Sequence, residues 1–187
     1  MRINELLLNI TDEISSCLAD LKEDQLEALE KEIKASSRIF VAGAGRSLLM
    51  IKAVAMRLMH MGFDAYVVGE TITPAIGEKD LLLIASGSGT TATLKVVAEK
   101  GKKAGAKLAL ITTNPDSPIG NLADLYVQVI AATTKDIESA ARSIQPGANT
   151  FEQSVLLIGD AIVLDIISGE KLDEKNEELM KRHANLE

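Results

Sequence analysis

The chain has 187 residues, 47% of them apolar, enough to fill one core and too few for two ordinary domains. A formal charge of −7 and a pI near 5.0 exclude a nucleic-acid module of the usual basic kind and leave room only for a local anion site. Aromatic residues make up 3% with no Trp, so Leu, Ile, Val, Ala and Met must build the core, as in helices packed on a parallel sheet.

Ile3, Leu6, Leu7, Ile10, Ile14, Cys17, Leu18 and Leu21 recur at steps of three and four and predict an N-terminal helix. Asp24 is placed to cap a second helix, with Leu26, Leu29 and Ile33 inward. Asn4, Glu5 and Asn9 interrupt the apolar residues, so this stretch reads neither as a leader nor as a membrane span. Residues 1–36 are thus expected to form a helical arm, suited to a dimer contact. Cys17, the single cysteine, reads as a small core residue and fits a reducing, cytoplasmic setting.

From Arg38 the pattern alternates over an α/β core spanning 37–170. A strand is predicted over Ile39–Ala42, a helix over Ser47–Met61, a strand over Ala65–Val68 and a loop through Thr71, Pro74 and Gly77. A strand at Leu81–Ala85, a helix over Thr91–Ala104 and a strand at Leu108–Thr112 follow, the last stopped by Asn114-Pro115. A turn around Pro118–Ala123 leads to a fifth strand at Tyr126–Ile130. Thr133–Asn149 lacks periodicity, and a stretch of that length in a compact domain is usually a binding loop. A buried helix begins near Phe151 and ends near Gly169, and the charged residues Lys171–Arg182 read as a solvated helix before the tail, within a C-terminal segment 171–187.

Two strand-to-helix turns carry the chemistry. The first, Gly43-Ala44-Gly45-Arg46-Ser47-Leu48, has Leu48 where a dinucleotide fingerprint needs a third glycine, and no acidic residue ends the second strand, which speaks against NAD. Gly45, Arg46 and Ser47 instead put a cation and a hydroxyl at a helix N-terminus, where free N–H groups favour an anion. The second, Ser86-Gly87-Ser88-Gly89-Thr90-Thr91, alternates hydroxyls with glycines that let the backbone curl around one group. No Lys follows these glycines, so a Walker A loop is excluded and a monophosphate suits the turn better. Both turns follow strands of one parallel sheet, where ligands sit beyond the carboxyl ends, so they can share a ligand. The two His and one Cys match no metal spacing.

Gly-x-Gly-x-Ser after the first strand and Ser-x-Ser-x-x-Thr after the third resemble the sugar isomerase (SIS) domain. The runs AGAGRS, AMRLMHMGFDAYVVGE, SGSGTT, FEQ and HANLE resemble the 6-phospho-3-hexuloisomerases in particular. The resemblance implies a single three-layer α/β/α domain of flavodoxin-like topology with a five-stranded parallel sheet. It implies interconversion of D-arabino-3-hexulose 6-phosphate and D-fructose 6-phosphate, downstream of a hexulose phosphate synthase, in tetramers whose sites are completed by neighbouring subunits. Neither redox cofactor nor catalytic metal is expected, nor a nucleic-acid or membrane partner. Another aldose-ketose isomerase of the same fold, or a non-catalytic sugar phosphate sensor, is the alternative.

The reaction removes a proton from C2, passes through an enediol and returns a proton to C3. Glu152 matches the glutamate base proposed for SIS isomerases. A carboxylate base works best when apolar surroundings bring its pKa from about 4.3 toward neutrality, and Phe151 and Val155 are near in sequence; Glu152 equally reads as an acid stabilising a helix N-terminus. His60 reads as a packed imidazole, as a cation at a helix C-terminus, or as the shuttle of protons between O2 and O3. His183 lies in a tail that would ordinarily fray, and its match to the family ending makes it the alternative acid. Arg46 can contact the phosphate or the enediolate. Met50, Met56, Met59 and Met61 read as core or oligomer packing.

Overall fold

The computed structural model describes residues 2–131, 143–168 and 179–186. The expected loop Thr133–Asn149 falls largely, and the charged segment from Lys171 mostly, outside those residues; residues 179–181 are helical. The elements are α1 (Ile3–Ala19), α2 (Glu23–Ala35), β1 (Ile39–Gly43), α3 (Gly45–His60), β2 (Ala65–Val67), β3 (Leu81–Ala85), α4 (Ala92–Lys103), β4 (Lys107–Thr112), β5 (Leu125–Gln128) and α5 (Asn149–Ser168). Asp24 does not cap α2: Lys22 holds the cap position without a side-chain bond, and Asp24 lies in the first turn, where its charge still favours the helix N-terminus.

The strands pair in parallel in the order β2-β1-β3-β4-β5, the flavodoxin-like arrangement. Each of the three middle strands is apolar on both faces because both are covered: Leu81 through Ala85 are all buried. On one face Ile39, Val41, Leu83 and Ile111 pack against α2, α3 and α5; on the other Phe40, Leu82, Ile84 and Leu110 pack against Leu94 and Ala98 of α4 and against Ile119. The chain leaves β1 toward β2 through α3 and leaves β3 toward β4 through α4. Right-handed crossovers running in opposite directions from adjacent strands put those two helices on opposite faces. The strand order therefore reverses between β1 and β3, and the ends of these strands diverge into a crevice.

Helices α1 and α2 lie on the α5 side, α1 against α5 and α2 against both α5 and β5. Met50 and Met61 pack against the core while Met56 and Met59 are exposed, so the methionines divide between the two expected uses. Among the described residues no helix is long and apolar enough to cross a membrane.

At the opposite end of the sheet from the crevice, β1 and β3 are locked by an ion pair. Asp80, 2% exposed, accepts from Arg38 Nε at 3.0 Å, from Arg38 Nη2 at 2.6 Å and from the Gly77 N–H at 2.7 Å. Burial alone would raise the Asp80 carboxyl, but these bonds and the guanidinium charge outweigh it and hold the group below its ordinary value. A carboxyl depressed in the fold stabilises fully above its unfolded pKa, about 3.9, and loses that contribution as pH falls through the folded value. Asp80→Asn should therefore cost roughly 1–3 kcal/mol at pH 7, through the weakened buried hydrogen bonds. Urea unfolding at pH 7 and pH 3 tests this: the gap to the parent protein should shrink at pH 3, and an equal gap at both would refute the assignment.

Candidate active site

The crevice holds a cleft of about 320 Å³ with three walls: the turn after β1, the turn after β3 and the start of α5. In the first wall, a Cβ at Gly43 would stand 2.9 Å from the backbone N and Cα of Leu48. The glycine that lets the outgoing helix approach its strand is therefore Gly43, so Leu48 removes the dinucleotide pattern without loosening the packing. Gly45 opens α3 at φ +56°, and Arg46 and Ser47 follow it into the cleft.

The second wall is held from behind. The Gly87 carbonyl accepts from the Thr113 N–H at 3.0 Å, from Thr113 Oγ1 at 2.8 Å and from Thr112 Oγ1 at 2.9 Å, which turns it toward β4. Among the described residues the N–H groups of Ser88 and Thr91 have no protein acceptor. Together with the first N–H groups of α4 they form a donor array for an anion. Gly89 sits behind the array at φ +61°, where a Cβ would lie 1.9 Å from Ser117 Oγ. The Thr90 hydroxyl stands 3.0 Å from Ser88 Oγ.

The third wall brings Gly147, Phe151 and Glu152. Phe151 closes against the phosphate-type turn: a Cβ on Gly87 would meet its ring at 3.3 Å. Of the apolar neighbours expected from sequence, Phe151 lines the same cleft and Val155 is buried in the core, while the Glu152 carboxylate accepts from Arg46 Nε across the cleft mouth. Its side chain is 12% exposed and that of Arg46 55%, so the carboxylate is sheltered while its guanidinium partner reaches solvent.

Of the sequence-predicted residues, Gly45, Arg46, Ser47, Ser86, Gly87, Ser88, Thr91 and Glu152 line one cleft. Gly89 shapes its wall from behind, and Thr90, exposed, is not among the lining residues. Leu94 and Gly147 line it as well, and neither was expected; only the lack of periodicity before Phe151 hinted at the second.

His60 and His183 come together, but elsewhere. Their rings stack with centroids 5.1 Å apart at 22°, and Arg182 Nη1 donates to the His60 carbonyl at 3.3 Å. His60 closes α3, whose start is in the cleft; the fourteen residues separating it from Arg46 amount to about 21 Å along the helix. The two histidines therefore do not reach their own chain's cleft. His60 is 3% exposed and its Nδ1 has no partner among the described residues. Burial, the Arg57 charge and His183 together hold its imidazole below the ordinary value.

A second depression, about 330 Å³, lies between α2 and α5 over Leu18, Leu21, Leu26 and Ile158. Glu23, Glu27, Glu30 and Asp165 among its lining residues disfavour an anion, which the first cleft suits better.

A family model for the SIS domain matches residues 32–158, which contain all three walls. The chain belongs to the SIS domain family. Outside that match lie all of α1, most of α2 and the tail carrying His183. Two relatives are similar over almost their whole length. A Bacillus subtilis protein named 3-hexulose-6-phosphate isomerase is 41% identical over 187 residues, 100% of each chain. One of the same name from Mycobacterium gastri is 44% identical over 178 residues, 95% of this chain and 88% of that one. A solved structure from Methanococcus jannaschii, from which a function of 3-hexulose-6-phosphate isomerase was inferred, superposes at a TM-score of 0.81 with 33% identity, covering 98% of this chain and 99% of that one.

The SIS cleft makes a local prediction. Gly89→Ala forces a left-handed residue, at about 1–2 kcal/mol, and drives a methyl into Ser117. Calorimetric titration with inorganic phosphate should show at least tenfold weaker binding in this variant. Unchanged affinity would remove the turn after β3 from the anion site.

Proposed function

We propose that this protein is a 6-phospho-3-hexuloisomerase, interconverting D-arabino-3-hexulose 6-phosphate and D-fructose 6-phosphate. The observation that carries the proposal is Glu152 at the mouth of a cleft flanked by two helix N-termini, paired with an exposed Arg46. The names of the Bacillus and Mycobacterium relatives support the choice of sugar.

The phosphate is held by Ser47, Ser86, Ser88, Thr91 and the N–H groups around them, leaving the sugar chain to run toward Glu152. The carboxylate takes the C2 proton as the C2–H electrons form the C2–C3 double bond and the C3 carbonyl oxygen gains charge. Arg46, released from Glu152, stabilises that oxygen. Glu152 then returns the proton to C3 while O2 becomes the carbonyl. The remaining step moves a proton from O2 to O3, and we assign it to His60, with His183 as the alternative, supplied by a neighbouring subunit because each is remote from its own cleft. Exposed Leu49, Met56 and Met59 on α3 and Leu157 and Leu164 on α5 support assembly into a homo-oligomer, which we take to be a tetramer. No redox cofactor or metal is needed for a proton transfer of this kind. The enzyme would work in the cytoplasm on the product of a synthase that joins a one-carbon aldehyde to a pentulose phosphate.

In deuterated water, fructose 6-phosphate should gain deuterium at C3. Glu152→Gln should slow that exchange by about 10²–10⁴-fold while still binding the ester. Exchange at C1 instead would indicate an aldose-ketose isomerase, and no exchange, or full exchange in Glu152→Gln, would refute the proposal. Mixed oligomers test the histidine: two inactive variants, Glu152→Gln and His60→Ala, should regain activity when refolded together. Mixtures as inactive as their parents would place the shuttle elsewhere.

A further inference from the structure

Helix α1 stands outside the conserved domain match, yet one of its side chains is bound into the third wall of the cleft. The Glu13 carboxylate accepts from Ser143 Oγ at 2.6 Å, from the Ile144 N–H at 2.6 Å, and from Gln145 Nε2 and Thr150 Oγ1, each at 3.3 Å. Gln145, itself buried, also donates from Nε2 to Gln153 Oε1 at 3.0 Å, with Thr150 Oγ1 3.2 Å from the same nitrogen. One turn further along α1 the Cys17 thiol donates to the Ile130 carbonyl at 3.3 Å and lies 3.6 Å from Ser154 Oγ. Glu13 and Cys17 thus meet Thr150 and Ser154 at matching four-residue steps. Two helical faces are joined turn for turn, with the carboxylate at the end nearer the cleft.

The bonded segment leads straight into the site. Gln145 precedes the turn that carries Gly147, which lines the cleft at φ +71°, and Thr150 is two residues before Glu152. We infer that Glu13 is a positioning residue: its carboxylate clasps residues 143–150 and thereby fixes Gly147 and Glu152 against the substrate. This rests on the isomerase reading for its catalytic consequence, while the clasp itself does not. Burial would raise the Glu13 carboxyl, but the four donors prevail and hold it below its ordinary value, as a shared acceptor in its charged form requires. The phosphate turns come from β1 and β3, whereas the Glu13 bonds run to residues 143–150, so loss of the clasp should spare binding and impair proton transfer.

The test is Glu13→Gln, which keeps shape and removes charge, beside Ser143→Ala, which removes one donor. Hydrogen exchange read by mass spectrometry should show faster exchange across 143–152 in both. Turnover of fructose 6-phosphate should fall about tenfold in kcat with KM within about twofold, the signature of an interaction needed in the transition state. The isotope effect of C3-deuterated substrate on kcat should rise, which fewer folded molecules would not produce. The double variant should be no worse than Glu13→Gln, since the two groups form one network. Faster exchange with kcat and isotope effect unchanged would overturn the positioning role, and unchanged exchange would overturn the clasp. If Glu13→Gln does not fold, Ser143→Ala alone decides by the same criteria. A parent protein that shows no turnover would instead refute the isomerase reading and the catalytic role with it.

Discussion

The cleft depends on the parallel pairing of β1 with β3, Ile39 beside Leu81 through Gly43 beside Ala85. These two strands send their helices to opposite faces, so the turns that follow them face one another across a gap that no backbone fills. The same register brings the first N–H groups of α3 and α4 to a common point, where their partial positive charges add. The Arg38–Asp80 pair at the far ends of the strands holds that register away from the cleft. Stability and ligand binding are thereby divided between the two ends of the strands.

An acidic chain can hold an anion this way because the attraction is short-ranged. The net charge is −7, but the cleft presents backbone N–H groups, hydroxyls and Arg46 within contact distance, while the acidic residues of the α2–α5 depression line a separate pocket. Screening over about 8–10 Å at ordinary ionic strength leaves the local donors in control. The Arg46–Glu152 pair adds a second economy. Before substrate binds, each group is the other's counter-ion, so neither is an unpaired charge at the cleft mouth.

Much of this was legible in the sequence, for physical reasons. Strands buried on both faces appear as unbroken apolar runs, and the five expected strands lie within two residues of those found. The glycine- and serine-rich turns were legible because only those residue types permit the backbone to curl around an anion. Less visible was anything that depends on meeting across the chain. Gly147 enters the cleft only because α5 docks on α3; Leu94 enters because α4 crosses the sheet there. Glu152 and Arg46 are 106 residues apart, and no local pattern announces their pairing. Nothing in the sequence sets Glu13 apart from the other acidic residues of α1, Glu5 and Asp12. The remoteness of His60 from its own cleft, by contrast, was readable from sequence, since fourteen residues of uninterrupted helix must separate it from Arg46.

The central claim is that one cleft holds both the phosphate and the reacting carbons. A crystal structure of Glu152→Gln with fructose 6-phosphate tests it most directly. The phosphate should lie among Ser47, Ser86, Ser88 and Thr91, with the substituted side chain facing C2 and C3 at contact distance, near the roughly 3–3.5 Å of a reactive approach. A phosphate bound elsewhere, or a sugar chain directed away from residue 152, would contradict it.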